Sequence, residues 1–541
     1  MIITLAALVT HQAQRTPEQQ ALIETRASAR RLTYAQLDAH VTATAQAWQA
    51  HLHPGQRVLI WLDKRVETII ALLAANRLGA LFIVANPALK PEQIAYLVHD
   101  ARPSLIVTST ARADALRAHL DAANAWRPHT PPSPLAELAA PHERDSLLLL
   151  THANPASNSV REDANRITEN DPAAIFYTSG STGFPKGVVV SHRNLLAGAQ
   201  TVAHYLGLTT TDRILALLPL SFDAGFSQLT TAWTVGATVV LHDYFLPRDA
   251  LAVVGEHQIS VLTAVPPLWR QLLNLSWPTT FAEHFRLGAS TGGKMPPRWV
   301  AEWYDRCPKS PFFVMYGLTE AFRATYLPPS EWPKRPESIG IPVPNNDVIV
   351  VREDGTRAAP GEIGEIVQRG PLVSLGYWND PVKTQARFRT LPPALRPANG
   401  ALPLPEIAVF SGDYGYCDDD GFLYFVGRRD GQIKTSGYRV SPEEIESVLL
   451  AHPAVVECCA CGLDDPLLGQ KIAVAVVVSL NNVTAADLTA HCRRHLATYQ
   501  VPALIDLVTE PLPRNPNGKI DRASVRHTLE TRYLGETRTE V

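Results

Sequence analysis

The sequence predicts an α/β fold: a large N-terminal domain of parallel sheets flanked by helices and carrying a β-rich subdomain, then a small α+β C-terminal domain. Three observations point there. Strand-like and helix-like segments alternate from residue 32 onward, the pattern of a parallel sheet covered on both faces. Residues 339–377 switch to short strands punctuated by Gly and Pro, opening a β-rich subdomain expected over about 339–427. From residue 430 the composition resets to a module of about 110 residues, enough to fold alone. At 541 residues the chain is too long for one core, so domains spanning 1–429 and 430–541 are expected.

The first elements justify this reading in turn. Thr33 can cap a helix reaching about residue 51, with Gln36 placed to complete a capping box. GQRVLIWLD reads as a strand, residues 67–78 as a helix, LFIVAN as a strand, PEQIAYLVHDA as a helix and PSLIVTS as a strand. Residues 127–166, rich in Pro, Ala, Ser and Asn, read as an exposed excursion. A strand over 173–177, a glycine-rich loop and a helix opened by Ser191 follow. ILALLPLSF, a helix over 227–235, ATVVLHD and ISVLTAVPP resume the alternation. Residues 391–405 hold five prolines and read as a surface loop. In the last module Ser441, Pro442 and Glu444 form a helix start, two strands follow, and Thr484 opens another helix.

Composition limits the functions available. With 46% hydrophobic and 19% charged residues the chain reads as an ordinary globular protein, and a net charge of −3 offers no long-range attraction to nucleic acid or an anionic membrane. No run reaches the roughly 18 apolar residues of a membrane span. The N-terminus lacks the basic region and cleavage site of a secretory signal. Cys458, Cys459 and Cys461 lie in a strand-like run, where neighbours face opposite ways, and no histidine stands at ligand spacing. They read as reduced packing residues, and a cytoplasmic location is the expectation.

The chemistry is concentrated in residues 177–187, YTSGSTGFPKG. Gly180, Gly183 and Gly187 let the backbone approach an anion closely. Successive N–H groups, the hydroxyls of Thr178, Ser179, Ser181 and Thr182, and the mobile charge of Lys186 suit a polyphosphate. The spacing is not that of a Walker A loop, because Pro185 precedes the lysine. Tyr316-Gly317-Leu318-Thr319-Glu320 offers an aromatic ring, a hydroxyl and a carboxylate; Mg2+ takes one or two carboxylates together with phosphate oxygens and water, and Glu320 is the candidate ligand. Asp418, Asp419 and Asp420 ahead of Gly421 read as a solvated hairpin turn.

These runs resemble the adenylate-forming superfamily of acyl-CoA and aryl-CoA synthetases, luciferases and peptide-synthetase adenylation domains. The likeness extends from about residue 32 to residue 522. It implies ATP as co-substrate, Mg2+ as cofactor, and a two-step reaction in which a carboxylic acid becomes an acyl-adenylate and then a thioester on CoA or a carrier-protein phosphopantetheine. It also implies roles. Thr178 to Gly183 with Lys186 form the phosphate loop, Gly292-Gly293 (ahead of Lys294) and Tyr316 meet the adenine, and Thr319 reaches a phosphate. Asp413 accepts from both ribose hydroxyls, a task suited to a carboxylate, and Arg428 supports the ribose or phosphate. Asp430 is the hinge of a mobile small domain. Lys519, in PRNPNGKIDR, would swing over the active site to meet charge on the α-phosphate, and Lys434 to Gly437 would face the site when the thiol enters.

Phe222 and Asp223 occupy the segment where amino-acid-activating relatives hold the substrate's ammonium, and Arg323 lies three residues after Glu320 at a pocket-lining position. The guanidinium could pair with Asp223, or hold a second anionic group of the substrate. The run YGLTEAFRATYLPP resembles stand-alone acyl-CoA ligases, which favours an acyl substrate; a free-standing amino-acid adenylation enzyme loading a separate carrier is the alternative.

Overall fold

A computed structural model describes residues 2–25, 29–120, 126–129, 147–152, 167–178, 185–278, 281–293, 295–396, 405–428, 432–479, 483–513 and 520–534. Two large mixed sheets make up the N-terminal domain. In the nine-stranded sheet, Gln20–Glu24, Thr238–Leu241, Arg213–Ala216, Val261–Ala264, Leu287–Ser290 and Phe312–Leu318 run parallel, and antiparallel strands close both edges. In the eight-stranded sheet, Pro172–Thr178, Leu81–Val84, Arg57–Trp61 and Leu105–Ser109 run parallel. The parallel strands are buried on both faces, as their near-continuous aliphatic runs require.

Helices fill the space between the sheets, and one continuous core joins side chains from both. The helix Asp223–Val235 shows how. Phe226 packs on Phe82 and Phe176 of the eight-stranded sheet, with ring centroids 5.1 and 5.6 Å apart. Gln228 turns the other way and donates to the carbonyls of Leu215 and Thr263 in the nine-stranded sheet. A buried helix tied to both sheets is a rigid mount for its first residue, Asp223.

Four expectations are corrected. Residues 127–166 are not an excursion of loop throughout: Trp126–His129 and Leu147–His152 add two antiparallel strands beside Leu105–Ser109, where ladder pairing satisfies their backbone N–H and C=O groups. The glycine-rich loop does not lead straight into a helix. The strand Lys186–Ser191 intervenes, pairing antiparallel with Pro172–Thr178, and only then does Ser191 cap the helix His192–Tyr205 with Asn194 completing the box. Leu391 and Leu395 of the proline-rich segment are buried in a small core rather than exposed. The helix placed over 227–235 also starts earlier, at Asp223.

A five-stranded antiparallel sheet follows, from Asp347–Val351 to Leu423–Arg428. The smaller C-terminal domain is built on a second five-stranded sheet, with Val455–Asp465 and Gly469–Val478 at its centre. Along Val455–Asp465 the thiols divide between two cores: Cys458 faces one, Cys459 and Cys461 the other, and none of the three is in a disulfide. Burial pushes the Cys461 thiol up to about 11, a poor nucleophile at neutral pH.

Candidate active site

The site forms where parallel strands of the nine-stranded sheet end at their carboxyl edge, the general ligand position of open α/β sheets. Leu217 to Ser221 follow Arg213–Ala216, Val265 follows Val261–Ala264, Gly292 and Gly293 follow Leu287–Ser290, and Gly317 to Thr319 end Phe312–Leu318. Thr178 ends the strand Pro172–Thr178 of the eight-stranded sheet. Gly292 has φ +80°, a turn that favours glycine, and its backbone faces the opening directly.

A cavity of about 100 Å3 brings together Thr178, Phe222, Asp223, Gly292, Thr319, Arg323 and, from the small domain, Ser436 to Arg439. Thr319 Oγ1 donates to Asp223 Oδ1 at 3.0 Å. Arg323, 2% exposed, holds Nη1 3.7 Å from Asp223 Oδ2, and its Nε has no hydrogen-bond partner among the described residues. A second cavity, of about 540 Å3, meets the first at Leu218, Val265, Ser436 and Tyr438 and runs outward past Lys64, Asn86 and the exposed Phe245. In its wall the buried Lys64 ammonium donates to the carbonyls of Ala216 and His242; burial brings it down to about 8, against the pull of Asp243. A third, small cavity is lined by Gly292, Gly293, Tyr316, Phe425, Lys434 and Arg439.

Around this opening the remaining candidates form two groups. Tyr316 donates its hydroxyl to Asp413 Oδ2 at 2.6 Å, linking the nine-stranded sheet to the β-rich one, and Asp413 pairs in register with Arg428. Glu320, 7% exposed, accepts from the Tyr377 hydroxyl at 2.6 Å. Burial alone would raise its pKa; Arg387, the Tyr377 hydrogen bond and Arg439 outweigh that and hold the carboxylate below its usual range. Lys186, first residue of its strand, sets Nζ 5.6 Å from the centre of the Tyr377 ring. Ser179, Gly180, Ser181, Thr182, Gly183, Lys294, Asp430 and Lys519 lie outside the described residues, as does the side chain of Arg428.

Sequence reading missed Tyr377, Arg387 and Arg439. Tyr377 and Arg387 stand about 60 residues from Glu320 in sequence, outside every motif used, and only strand pairing returns Gly376–Tyr377 to the edge of Lys186–Ser191. Arg439 lies two residues after Gly437, and its place in the hairpin after Lys434 is the signal the sequence offers. It donates to the Gly317 carbonyl at 3.2 Å. The hairpin also docks through Tyr438, whose ring stacks on Tyr499 at 3.6 Å and meets Phe222 edge-on at 5.0 Å.

The family model described as AMP-binding enzyme matches residues 9–378, and the AMP-binding enzyme C-terminal domain matches residues 444–519. A 2-succinylbenzoate–CoA ligase of Bacillus velezensis is 32% identical over 527 residues, covering 97% of either chain. Among solved structures, a double mutant of o-succinylbenzoate CoA synthetase from Bacillus subtilis bound with its product analogue superposes with a TM-score of 0.79 at 28% identity, covering 96% of this chain and 98% of that one. The same synthetase in complex with ATP and magnesium ion gives 0.65 at 29% identity, covering 96% and 99%. The arrangement of the present chain is closer to the product-analogue form.

Proposed function

Because the chain belongs to the AMP-binding enzyme family, we propose that it joins a carboxylic acid to a thiol in two ATP-driven steps, the thiol being that of CoA or of a carrier-protein phosphopantetheine. In the first, a carboxylate oxygen attacks the α-phosphorus of ATP; the bond to the bridging oxygen breaks, and pyrophosphate leaves with its electron pair. In the second, the thiolate attacks the carbonyl carbon of the acyl-adenylate, the carbon–oxygen bond to AMP breaks, and the proton of the thiol passes to solvent.

One observation carries this reading: residues from separate parts of the chain (Thr178, Asp223, Gly292, Thr319 and Gly437) line one small cavity that opens into a larger channel. The small cavity suits the acid and the channel a pantetheine arm, with Ser436 and Tyr438 of the small domain in the wall they share. Tyr316 and the glycines at 292 and 293 border the adenine, Asp413 takes the ribose hydroxyls with Arg428 beside it, and Thr178 to Gly183 with Lys186 hold the phosphates. Glu320, ionised and carrying a single carboxylate, fits one ligand of Mg2+; the others would be phosphate oxygens and water. Bound there, the ion would neutralise polyphosphate charge. Lys519 meets the α-phosphate in the first step, the small domain turns about Asp430, and Gly437 arrives for the second.

ATP–pyrophosphate exchange across fatty, aryl, hydroxy, amino and dicarboxylic acids tests this, repeated with CoA and with a carrier protein. Exchange should occur with a non-amino acid and be lost in Lys519→Ala, while that variant still converts supplied acyl-adenylate to thioester. Exchange driven by amino acids alone would favour an amino-acid adenylation enzyme instead.

A further inference from the structure

Resting on that reading, we propose that the acid is a short-chain hydroxy acid, its hydroxyl bridging Asp223 and Arg323.

Three features of the cavity support this. The first is size. An engineered cavity of about 150 Å3 holds one benzene ring, so the space of about 100 Å3 beside the pair takes a few carbons, and the wider channel it opens into is the one assigned to the pantetheine arm. The second is charge. Asp223 and Arg323 together are neutral, and both are withdrawn from water, with side-chain exposures of 17% and 3%. An ammonium drawn to Asp223 would meet the guanidinium at close range, and a second carboxylate drawn to Arg323 would meet Asp223. In a site of low dielectric constant either repulsion is costly.

The third feature is unfinished hydrogen bonding. Arg323 Nη1 and Asp223 Oδ2 are 3.7 Å apart, close enough for attraction but beyond a direct hydrogen bond. Among the described residues Arg323 Nε is buried without an acceptor, and the guanidinium also meets the Tyr205 hydroxyl and the face of Phe322. Thr319 already occupies Asp223 Oδ1. What the pair lacks is one small group that accepts from arginine while donating to aspartate. A hydroxyl does both; a ketone only accepts, an ammonium only donates, and an alkyl chain does neither. With the carboxylate directed at the nucleotide past Gly292 and Thr319, the hydroxyl belongs on the second or third carbon. It is recognised and not consumed.

The test measures ATP–pyrophosphate exchange with matched acids of equal length: lactate and 3-hydroxybutanoate against propanoate and butanoate, alanine and 3-aminobutanoate, and malonate and succinate. The best hydroxy acid should exceed each matched competitor in kcat/KM by roughly 100-fold, the discrimination open to a site built to pair a substrate hydroxyl. Arg323→Met should bring hydroxy and unsubstituted acids to within a few-fold of each other. Any unsubstituted, amino or dicarboxylic acid that equals the best hydroxy acid overturns the assignment and leaves the ligase reading intact; so does a preference that survives in folded Arg323→Met. Should that variant fail to fold, the wild-type panel decides alone. Absence of exchange with every acid sinks the ligase reading, and the substrate assignment with it.

Discussion

Glu320 and Tyr377 show at the scale of one residue how the fold prepares a charge. A buried carboxylate on its own would take up a proton. Here Arg387, the Tyr377 hydroxyl and Arg439 keep it ionised, so it stays available to a cation at neutral pH. The folded pKa is depressed, so the stabilisation is present above the unfolded value and is lost as pH falls through the folded one. Glu320→Gln should therefore flatten the acid limb of a pH–stability curve from thermal melts, and lower adenylation at least about 100-fold. A wild-type acid limb in the variant would show that the carboxylate is not the group being protected. Hydrogen bonds to charged groups are worth about 1.5–3 kcal/mol, so Tyr377→Phe should cut kcat/KM for MgATP by roughly tenfold and leave the KM for the acid unchanged.

Among the described elements of the small domain, the hairpin of Ile433–Thr435 and Tyr438–Val440 reaches the site. Its glycine is required twice over. Gly437 has φ +82°, and a Cβ there would meet Val265 Cγ2 at 2.7 Å. Gly437→Ala should strain the turn and block this docked arrangement. Under the proposed turn of the small domain between the two steps, pyrophosphate release in a single turnover should be unchanged while thioester formation slows by at least about tenfold. Equal slowing of both steps would place the hairpin in both. Gly225 marks a similar close approach, since a Cβ there would sit 2.0 Å from the Pro219 carbonyl oxygen, where the helix carrying Asp223 leaves its strand. The glycine was legible as a residue in SFDAGF. The contact was not, because it depends on where the chain folds back.

Over the whole molecule, docking of the small domain places a carboxylate at the boundary. Gln93 of the N-terminal domain donates to Glu444 Oε1 at 3.3 Å and to Gln500 Oε1 at 2.9 Å. Burial raises the pKa of Glu444, and its hydrogen bonds with Gln500 and Gln93 only partly offset this. The docked state therefore binds a proton more readily than an undocked one, and docking strengthens as pH falls through that raised pKa and weakens as pH rises. Fluorescence transfer between dyes on the two domains should follow this titration in wild type and lose it in Glu444→Gln. An unchanged titration in the variant would assign it elsewhere.

What the sequence by itself determined is local: the alternation of strands and helices, the caps at Thr33 and Ser191, the turn chemistry of Asp418 to Gly421, and the grouping of phosphate-binding residue types in residues 177–187. Each follows from backbone preferences acting over a few residues. Only the tertiary structure decided that LLLLTH would join a sheet, that a strand would stand between the phosphate loop and its helix, that Tyr377 would hold Glu320, and that Arg323 would stop 3.7 Å short of Asp223. The reason is physical. Pairing, burial and charge balance depend on which distant segments come to share a space, and no local preference encodes that distance.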